Sequence, residues 1–254
     1  MEFDQFACDY EHTLDRNIAI SGETSTYFAR YKALYLRRLL SPLFSGKVLE
    51  FGCGIGMLSG FLKEYLPAIQ LDGFDVSKES LRRVAAGLRR QGIFTSDPDD
   101  LGSDYSLIVV ANVMHHIAPE ERRTVVQELA DRLASGGRVA IFEHNPANPL
   151  TRWAVEHCPF DEDVVLLAPR ETNQYLSQAN LRVLRRDYIV FMPHFLAPLR
   201  LLEPWLAWLP IGGQYVIIAQ RRDSEKTIGQ HLNESKRSNG HHDRQVKEVI
   251  GAIP

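Results

Sequence analysis

The sequence is poor in cysteine. Its three cysteines, Cys8, Cys53 and Cys158, lie far apart along 254 residues, and no C-x-x-C pair occurs. An odd number at such spacing argues against a disulfide framework and against a zinc site, and it fits a reducing compartment. Long apolar runs are missing as well. No stretch reaches the roughly 18 uninterrupted apolar residues that a membrane span needs. Met1 to Tyr10 carries acids and no apolar run, so it does not read as a secretory signal, and a cytoplasmic protein is expected. The sequon Asn233-Glu234-Ser235 then carries no weight. Positive charge is not in excess either, with 29 Lys and Arg against 32 Asp and Glu for a net charge of -3. A phosphate backbone is bound by clustered cations, so the overall charge makes no case for nucleic acid. No internal repeat is visible.

What is present is alternation. The apolar share of 44% supports an ordinary core, and the length suits one globular domain with a decorated edge. Asp4 to Leu40 reads as helical, with Phe28, Tyr31, Leu34, Tyr35 and Leu39 near helical spacing, and Ser41-Pro42 ends it. Strands are expected at Lys47–Phe51, Leu71–Phe74, Gly92–Thr95, Tyr105–Ala111 and Arg138–Phe142. Helices are expected between them at Met57–Glu64, Lys78–Arg90 and Glu120–Leu133, the last stopped by Gly136-Gly137. This order predicts an α/β fold with a doubly wound, mostly parallel sheet, and the run Leu107-Ile108-Val109-Val110 is what a strand buried on both faces looks like. Further along, Asn145–Ala168 is Pro-rich and irregular, Pro169–Gln178 reads as a helix, and Leu181–Phe191 and Gln214–Gln220 read as strands. The expected organisation is a helical cap over 1–45, a main domain over 46–221 with insertions at 145–168 and 194–210, and a polar, flexible tail over 222–254.

The strongest motif is Glu50-Phe51-Gly52-Cys53-Gly54-Ile55-Gly56, which follows an apolar strand and opens a helix. Glycines are needed where a backbone turns sharply or lies against a ligand, because a β-carbon would collide. In open α/β sheets this loop sits at the ligand-binding edge. A dinucleotide loop of the form G-x-G-x-x-G would have its third glycine at position 57, where Met57 stands. Glu50 would also face a pyrophosphate unfavourably, whereas it suits a cationic ligand. No Gly-Lys-Ser/Thr follows, so a P-loop is excluded. Asp75, ending the second strand, is placed to accept from ribose hydroxyls, and Ser77 is the better candidate for capping the next helix. A third segment, Val109 to Ile117, is a buried strand that breaks into the polar turn Asn112-Val113-Met114-His115-His116.

Together these segments resemble the class I S-adenosylmethionine (SAM)-dependent methyltransferases over Val48 to Glu143. The resemblance implies a Rossmann-like sheet of seven strands whose last two form an antiparallel C-terminal hairpin. It implies SAM as cofactor, with Gly52, Gly54 and Gly56 cradling the methionine part, Glu50 supporting the loop or the amino group, and Asp75 holding the ribose. Asp97 or a neighbour would touch the adenine, and Asn112 and Met114 would border the methionine and sulfonium, with packing as the other reading of Met114.

The expected activity is methyl transfer to an oxygen or nitrogen of a small-molecule acceptor. Positioning dominates such a displacement, and a general base helps when the acceptor carries a proton. His115 and His144, just past central strands, are the candidate bases; His194 is further away in sequence, and His116 is read as packing inward. Glu143 is placed to orient His144 or to meet a cationic substrate. Arg152 and Arg170 are either anion contacts or solvated, and Tyr10, Tyr27, Phe28 and Tyr31 either cover SAM or pack. The Leu- and Trp-rich stretch Leu196–Leu209 is read first as core packing, then as a lid, then as a membrane contact. The competing functions are a methyltransferase for a lipid-linked or prenylated acceptor and a SAM-binding regulator without turnover. A nucleic-acid acceptor is disfavoured, because Ala111-Asn112-Val113-Met114 is not the N/D-P-P-Y/F type of clamp for a flipped base.

Overall fold

A computed structural model describes residues 22–41, 43–158 and 164–222. Backbone contacts divide the chain into Met1–Arg221 and Arg222–Pro254. The expected tail past Arg222, the part of the cap before Gly22, and Tyr10 lie outside the described residues.

Seven strands form one sheet: β1 (Gly46–Phe51), β2 (Ile69–Phe74), β3 (Phe94–Thr95), β4 (Tyr105–Ala111), β5 (Leu133–His144), β6 (Leu181–Ile189) and β7 (Gln214–Arg221). Their order is β3-β2-β1-β4-β5-β7-β6. The first five run parallel, and β7 is antiparallel to both β5 and β6. This is the expected Rossmann-like sheet with its C-terminal hairpin.

The uninterrupted apolar run of β4 is explained by two cores. Ile108 and Val110 enter one, with Leu129, Ile141 and Ile217, while Leu107 and Val109 enter the other, with Val48, Phe142 and Val216. Successive side chains leave opposite faces of a strand, so burial on both sides demands apolar residues at every position. Burying each contributes roughly 1.5–3 kcal/mol. The first core is roofed by α5 (Pro119–Asp131) and α7 (Pro169–Gln178), through Leu129 and Leu176. The second is roofed by α1 (Ser25–Leu39) and α2 (Met57–Tyr65), through Leu36, Leu58 and Leu62. Helix α1 starts at Thr24, whose side chain accepts from the Tyr27 N–H at 3.3 Å.

Several expected elements change. The helix expected over Lys78–Arg90 is two, α3 (Lys78–Arg83) and α4 (Ala86–Arg89), because Val84 and Ala85 turn extended. That turn buries Val84 against Leu81 and Cys53 and beside Gly56. Ser77 caps α3, its side chain accepting from the Ser80 N–H at 3.1 Å. Gly136-Gly137 does not stop α5, which ends at Asp131; the pair lies inside β5, where the register slips. A β-carbon on Gly137 would come within 2.7 Å of the Tyr105 carbonyl oxygen, so glycine is what lets the strands pair there. The stretch 145–168 is not irregular throughout. It holds α6 (Pro149–Glu156), with Asn148 as its cap accepting from the Thr151 N–H at 3.0 Å and Pro149 in its first turn. Between β6 and β7 a 3₁₀ segment, His194–Leu202, leads into the short α8 (Glu203–Leu206). Leu196–Leu209 is not core packing, since Phe195, Leu201, Trp205 and Trp208 around and within it are exposed.

Candidate functional site

Because β1, β2, β4 and β5 are parallel, their carboxyl ends share one edge. The residues that follow them, Gly52, Asp75 and Asn112, meet there with His144, the last residue of β5. The glycine loop is tied to β2 by the Gly52 and Cys53 N–H groups, which donate to the Phe74 carbonyl at 2.8 and 2.9 Å. Gly52, Gly54 and Gly56 all adopt left-handed backbone, with φ of 78°, 52° and 78°. At Gly52 space forbids a side chain as well, since a β-carbon would stand 2.2 Å from Val113 Cγ2.

Asp75 locks this loop. Its Oδ2 accepts from the Gly54 N–H at 2.7 Å and its Oδ1 from the Ser77 N–H at 2.9 Å. A carboxylate oxygen can accept more than one hydrogen bond, which is what contact with ribose hydroxyls would use. Glu50 is buried beneath the loop and accepts from the Ser59 hydroxyl of α2. Burial pushes its carboxyl up to about 8, the Ser59 bond opposes the rise, and Asp75 adds to it. Of its two expected roles, support of the loop is the one this geometry displays. Asp97 is exposed and accepts from the Asp99 N–H at 3.0 Å, capping a short 3₁₀ turn.

The turn after β4 is organised by a residue from β5. Glu143 has no exposed surface. Its Oε1 accepts from the Val113 and Met114 N–H groups at 3.1 and 2.8 Å, and its Oε2 lies 2.6 Å from His115 Nδ1. Burial alone would raise this carboxyl, but His115, His144 and the Met114 N–H outweigh it and hold Glu143 below the usual carboxylate range. Glu143 therefore holds His115 by a direct hydrogen bond, while His144 acts on it through charge.

His115 is correspondingly only 2% exposed, and Met114 is fully buried in the main core. Of the two readings of Met114, packing is the one this geometry displays. His116, expected to turn inward, is the half-buried one of the pair, with its ring 4.2 Å from that of His115. His144 is also half-buried, its ring 5.1 Å from that of His115. Asn112 takes a left-handed φ of 57° and sets its Nδ2 3.3 Å from His144 Nε2. Asn112 Oδ1 is buried without a hydrogen-bond partner, and so is Oε1 of Gln214, the residue paired opposite His144 on β7. Buried polar oxygens without partners are costly, so these two mark a place suited to a donor.

The sequence reading missed Lys32. It lies on the buried face of α1 with Ala29, Ala33 and Leu36 and is only 6% exposed. Burial pulls its amine down to about 8, opposed by the charges of Glu143 and Glu50. The available signal was a lone cation in phase with an apolar helical face. Tyr31, offered as a cover for SAM, instead donates to Glu203 Oε2 at 2.9 Å, and Tyr27 sits under Arg200. Arg152 and Arg170 are exposed, Arg152 with Glu156 3.8 Å away, which is the solvated reading. Among the described residues no group of three or more His, Cys, Asp or Glu is arranged to hold a metal.

Residues 49–139 match the model of a family described as a methyltransferase domain. An uncharacterized methyltransferase of Staphylococcus carnosus is 28% identical over 148 residues, 56% of this chain and 65% of that protein. A ribosomal RNA small subunit methyltransferase C of Vibrio vulnificus is 38% identical over 73 residues, 27% of this chain and 22% of its own length. The chain thus spans less than two thirds of either relative. Among solved structures, magnesium protoporphyrin IX methyltransferase from Synechocystis, with bound SAH, superposes with a TM-score of 0.57 at 16% identity, covering 82% of this chain and 86% of that one. At that identity the likeness shows a shared fold.

Proposed function

We propose that this chain, which carries a class I SAM-dependent methyltransferase domain with SAM as its cofactor, transfers the methyl group to an oxygen or nitrogen of a small acceptor, with His144 as the base. The single observation that carries the reading is the meeting, at one sheet edge, of the glycine cradle, Asp75 and the Asn112–His144 pair. The donor set fits the cofactor. A loop that only glycine can line leaves backbone against the ligand, the Asp75 carboxylate is an acceptor of the kind ribose hydroxyls need, and Asn112 Oδ1 is buried without a partner.

When bound, SAM supplies an electrophilic methyl carbon on a cationic sulfur. The chain's own task is to hold the acceptor in line, exclude water, and take the proton the acceptor must lose. His115 is committed to Glu143 and sealed in, so it positions the turn after β4. His144 is half-buried and ends β5 at the ligand edge. With the Asn112 amide turned over, Oδ1 accepts from Nε2–H and Nδ1 is the nitrogen that takes the acceptor's proton, since a ring nitrogen accepting from Nδ2 would have its lone pair engaged.

Calorimetric titration with SAM and S-adenosylhomocysteine, with NAD as the control, tests the donor site. Micromolar binding of the sulfur ligands, lost in Asp75→Ala and kept in His144→Ala, is the expected pattern. Radiolabelled SAM offered with phenol, catechol and amine acceptors then tests the chemistry, and His144→Ala should lower turnover about 10²–10⁴-fold. Full turnover in that variant refutes the base assignment. A protein that binds SAM and methylates none of these classes favours the regulator reading.

A further inference from the structure

All three tryptophans of the chain are exposed: Trp153 at 45%, Trp205 at 72% and Trp208 at 74%. They do not stand alone. Phe195, Leu201 and Ile211 are 78%, 83% and 62% exposed, and Leu150 on α6 is 65% exposed. Isolated surface leucines need no explanation, but a set of large apolar side chains drawn from two adjoining segments does. The two segments are fastened together. Asn148, the cap of α6, donates to the Ile211 carbonyl at 2.7 Å, and Thr151 Oγ1 donates to the Gly213 carbonyl at 2.9 Å.

The charges of this excursion point the other way. Glu203 is 5% exposed and accepts from Tyr31 and from the Phe191 and Met192 N–H groups. Arg200 reaches Glu23 and the Met192 carbonyl. Residues 194–211 contain no other Asp, Glu, Lys or Arg, so neither formal charge of this stretch is offered outward. A protein partner is ordinarily met with hydrogen-bonding and charged groups around an apolar centre. An excursion of Trp, Leu, Phe, Pro and Ile with its two charges turned inward, beside an α6 whose exposed Arg152 and Glu156 pair with each other at 3.8 Å, instead matches the uncharged boundary between headgroups and acyl chains, where indole rings settle. The excursion leads directly into the strand that borders the reaction site. Three residues past Ile211 comes Gln214, which pairs across the sheet with His144. No helix among the described residues is long and apolar enough to cross a membrane, so the contact would be a shallow one.

We propose that residues 194–211, with Leu150 and Trp153 of α6, dock on the neutral interfacial zone of a lipid bilayer and admit an acceptor with an apolar body from that surface to His144. The docking stands independently of the transfer chemistry; only the identity of the cargo rests on the methyl-transfer reading. Because no cation cluster takes part, the contact needs no anionic lipid and responds little to salt.

The test is co-sedimentation of the full chain with sucrose-loaded phosphatidylcholine vesicles, alongside tryptophan emission. Expected are binding with a blue shift, affinity unchanged within about twofold between low and physiological salt, and binding at least about tenfold weaker in Trp205→Ser/Trp208→Ser. SAM calorimetry on the same variant should be unchanged, which shows that it is folded and reads the donor site separately. A wild type that binds SAM and stays in the supernatant overturns the proposal. So does a variant that converts a dimer to a monomer in sedimentation equilibrium with no vesicle binding by the wild type, since the face then belongs to a second copy of the chain. Binding that requires phosphatidylglycerol and vanishes with salt overturns the neutral-surface argument.

Discussion

Glu143→Ala should be among the most damaging single truncations at the site, although the side chain has no exposed surface. The carboxylate satisfies three donors, the N–H groups of Val113 and Met114 and the His115 ring, at 3.1, 2.8 and 2.6 Å. Each buried donor left without a partner costs roughly 1–3 kcal/mol. Water entering the vacated space recovers part of this, so the loss should be about 3–5 kcal/mol, in the range for breaking a buried charged pair. Glu143→Gln keeps an oxygen for the two backbone N–H groups and turns an N–H₂ toward His115. The imidazole must then accept at Nδ1 and donate from Nε2, so the cost should be about 1–2 kcal/mol. The sign of the pH effect follows from the direction of the shift. A carboxyl held below its ordinary range stabilises the fold above its unfolded pKa and loses that contribution as pH falls through the folded value. Urea unfolding of the wild type and both variants near neutral pH and near pH 4 measures all of this. The gap between wild type and Glu143→Gln should narrow at the lower pH. A Glu143→Ala protein within about 1 kcal/mol of wild type, or a gap that widens in acid, refutes the assignment of Glu143 as the clamp of the turn.

Three further outcomes are expected. Glu50 is held near 8 by burial, so the folded state binds its proton where the unfolded chain has lost it; wild-type stability should fall from pH 5 to pH 8, and urea midpoints of Glu50→Gln should show a flatter profile. Gly52→Ala sets a β-carbon 2.2 Å from Val113 Cγ2 at a positive φ, which should weaken SAM binding at least about tenfold and destabilise the fold by about 1–3 kcal/mol; adding Val113→Ala should restore part of the stability and not all of it, because the backbone strain remains. Lys32→Met removes the buried cation that faces Glu50 and Glu143, so the Glu50 carboxyl should titrate higher still, read by carboxyl-carbon NMR against wild type; an unmoved titration would show that the charges do not communicate.

The sheet was legible because its signals are local and redundant. A strand buried on both faces must be apolar throughout, and Tyr105–Ala111 was bounded to the residue on that ground. The glycine loop and Asp75 were legible for a related reason: sharp turns and close approaches restrict residue types one position at a time. Reading failed wherever a distant partner decided the outcome. Val84 breaks a helix of good local propensity to fill space beside Gly56, 28 residues earlier in the chain. Gly136-Gly137 reads as a helix stop until the Tyr105 carbonyl supplies the reason for it. Glu143, adjacent to His144 in sequence, points to His115 because adjacent residues of a strand face opposite sides of the sheet. That rule was available from the sequence, and applying it to Glu143-His144 would have separated the clamp from the half-buried histidine. The excursion over 194–211 is the opposite case, since its composition is that of a core and no periodicity distinguishes an apolar segment turned inward from one turned outward. What separates them is the location of Glu203 and Arg200, whose partners Tyr31 and Glu23 lie some 170 residues earlier in the sequence. Two charges drawn inward by the N-terminal helix and the residues just before it are what leave the apolar side chains facing out.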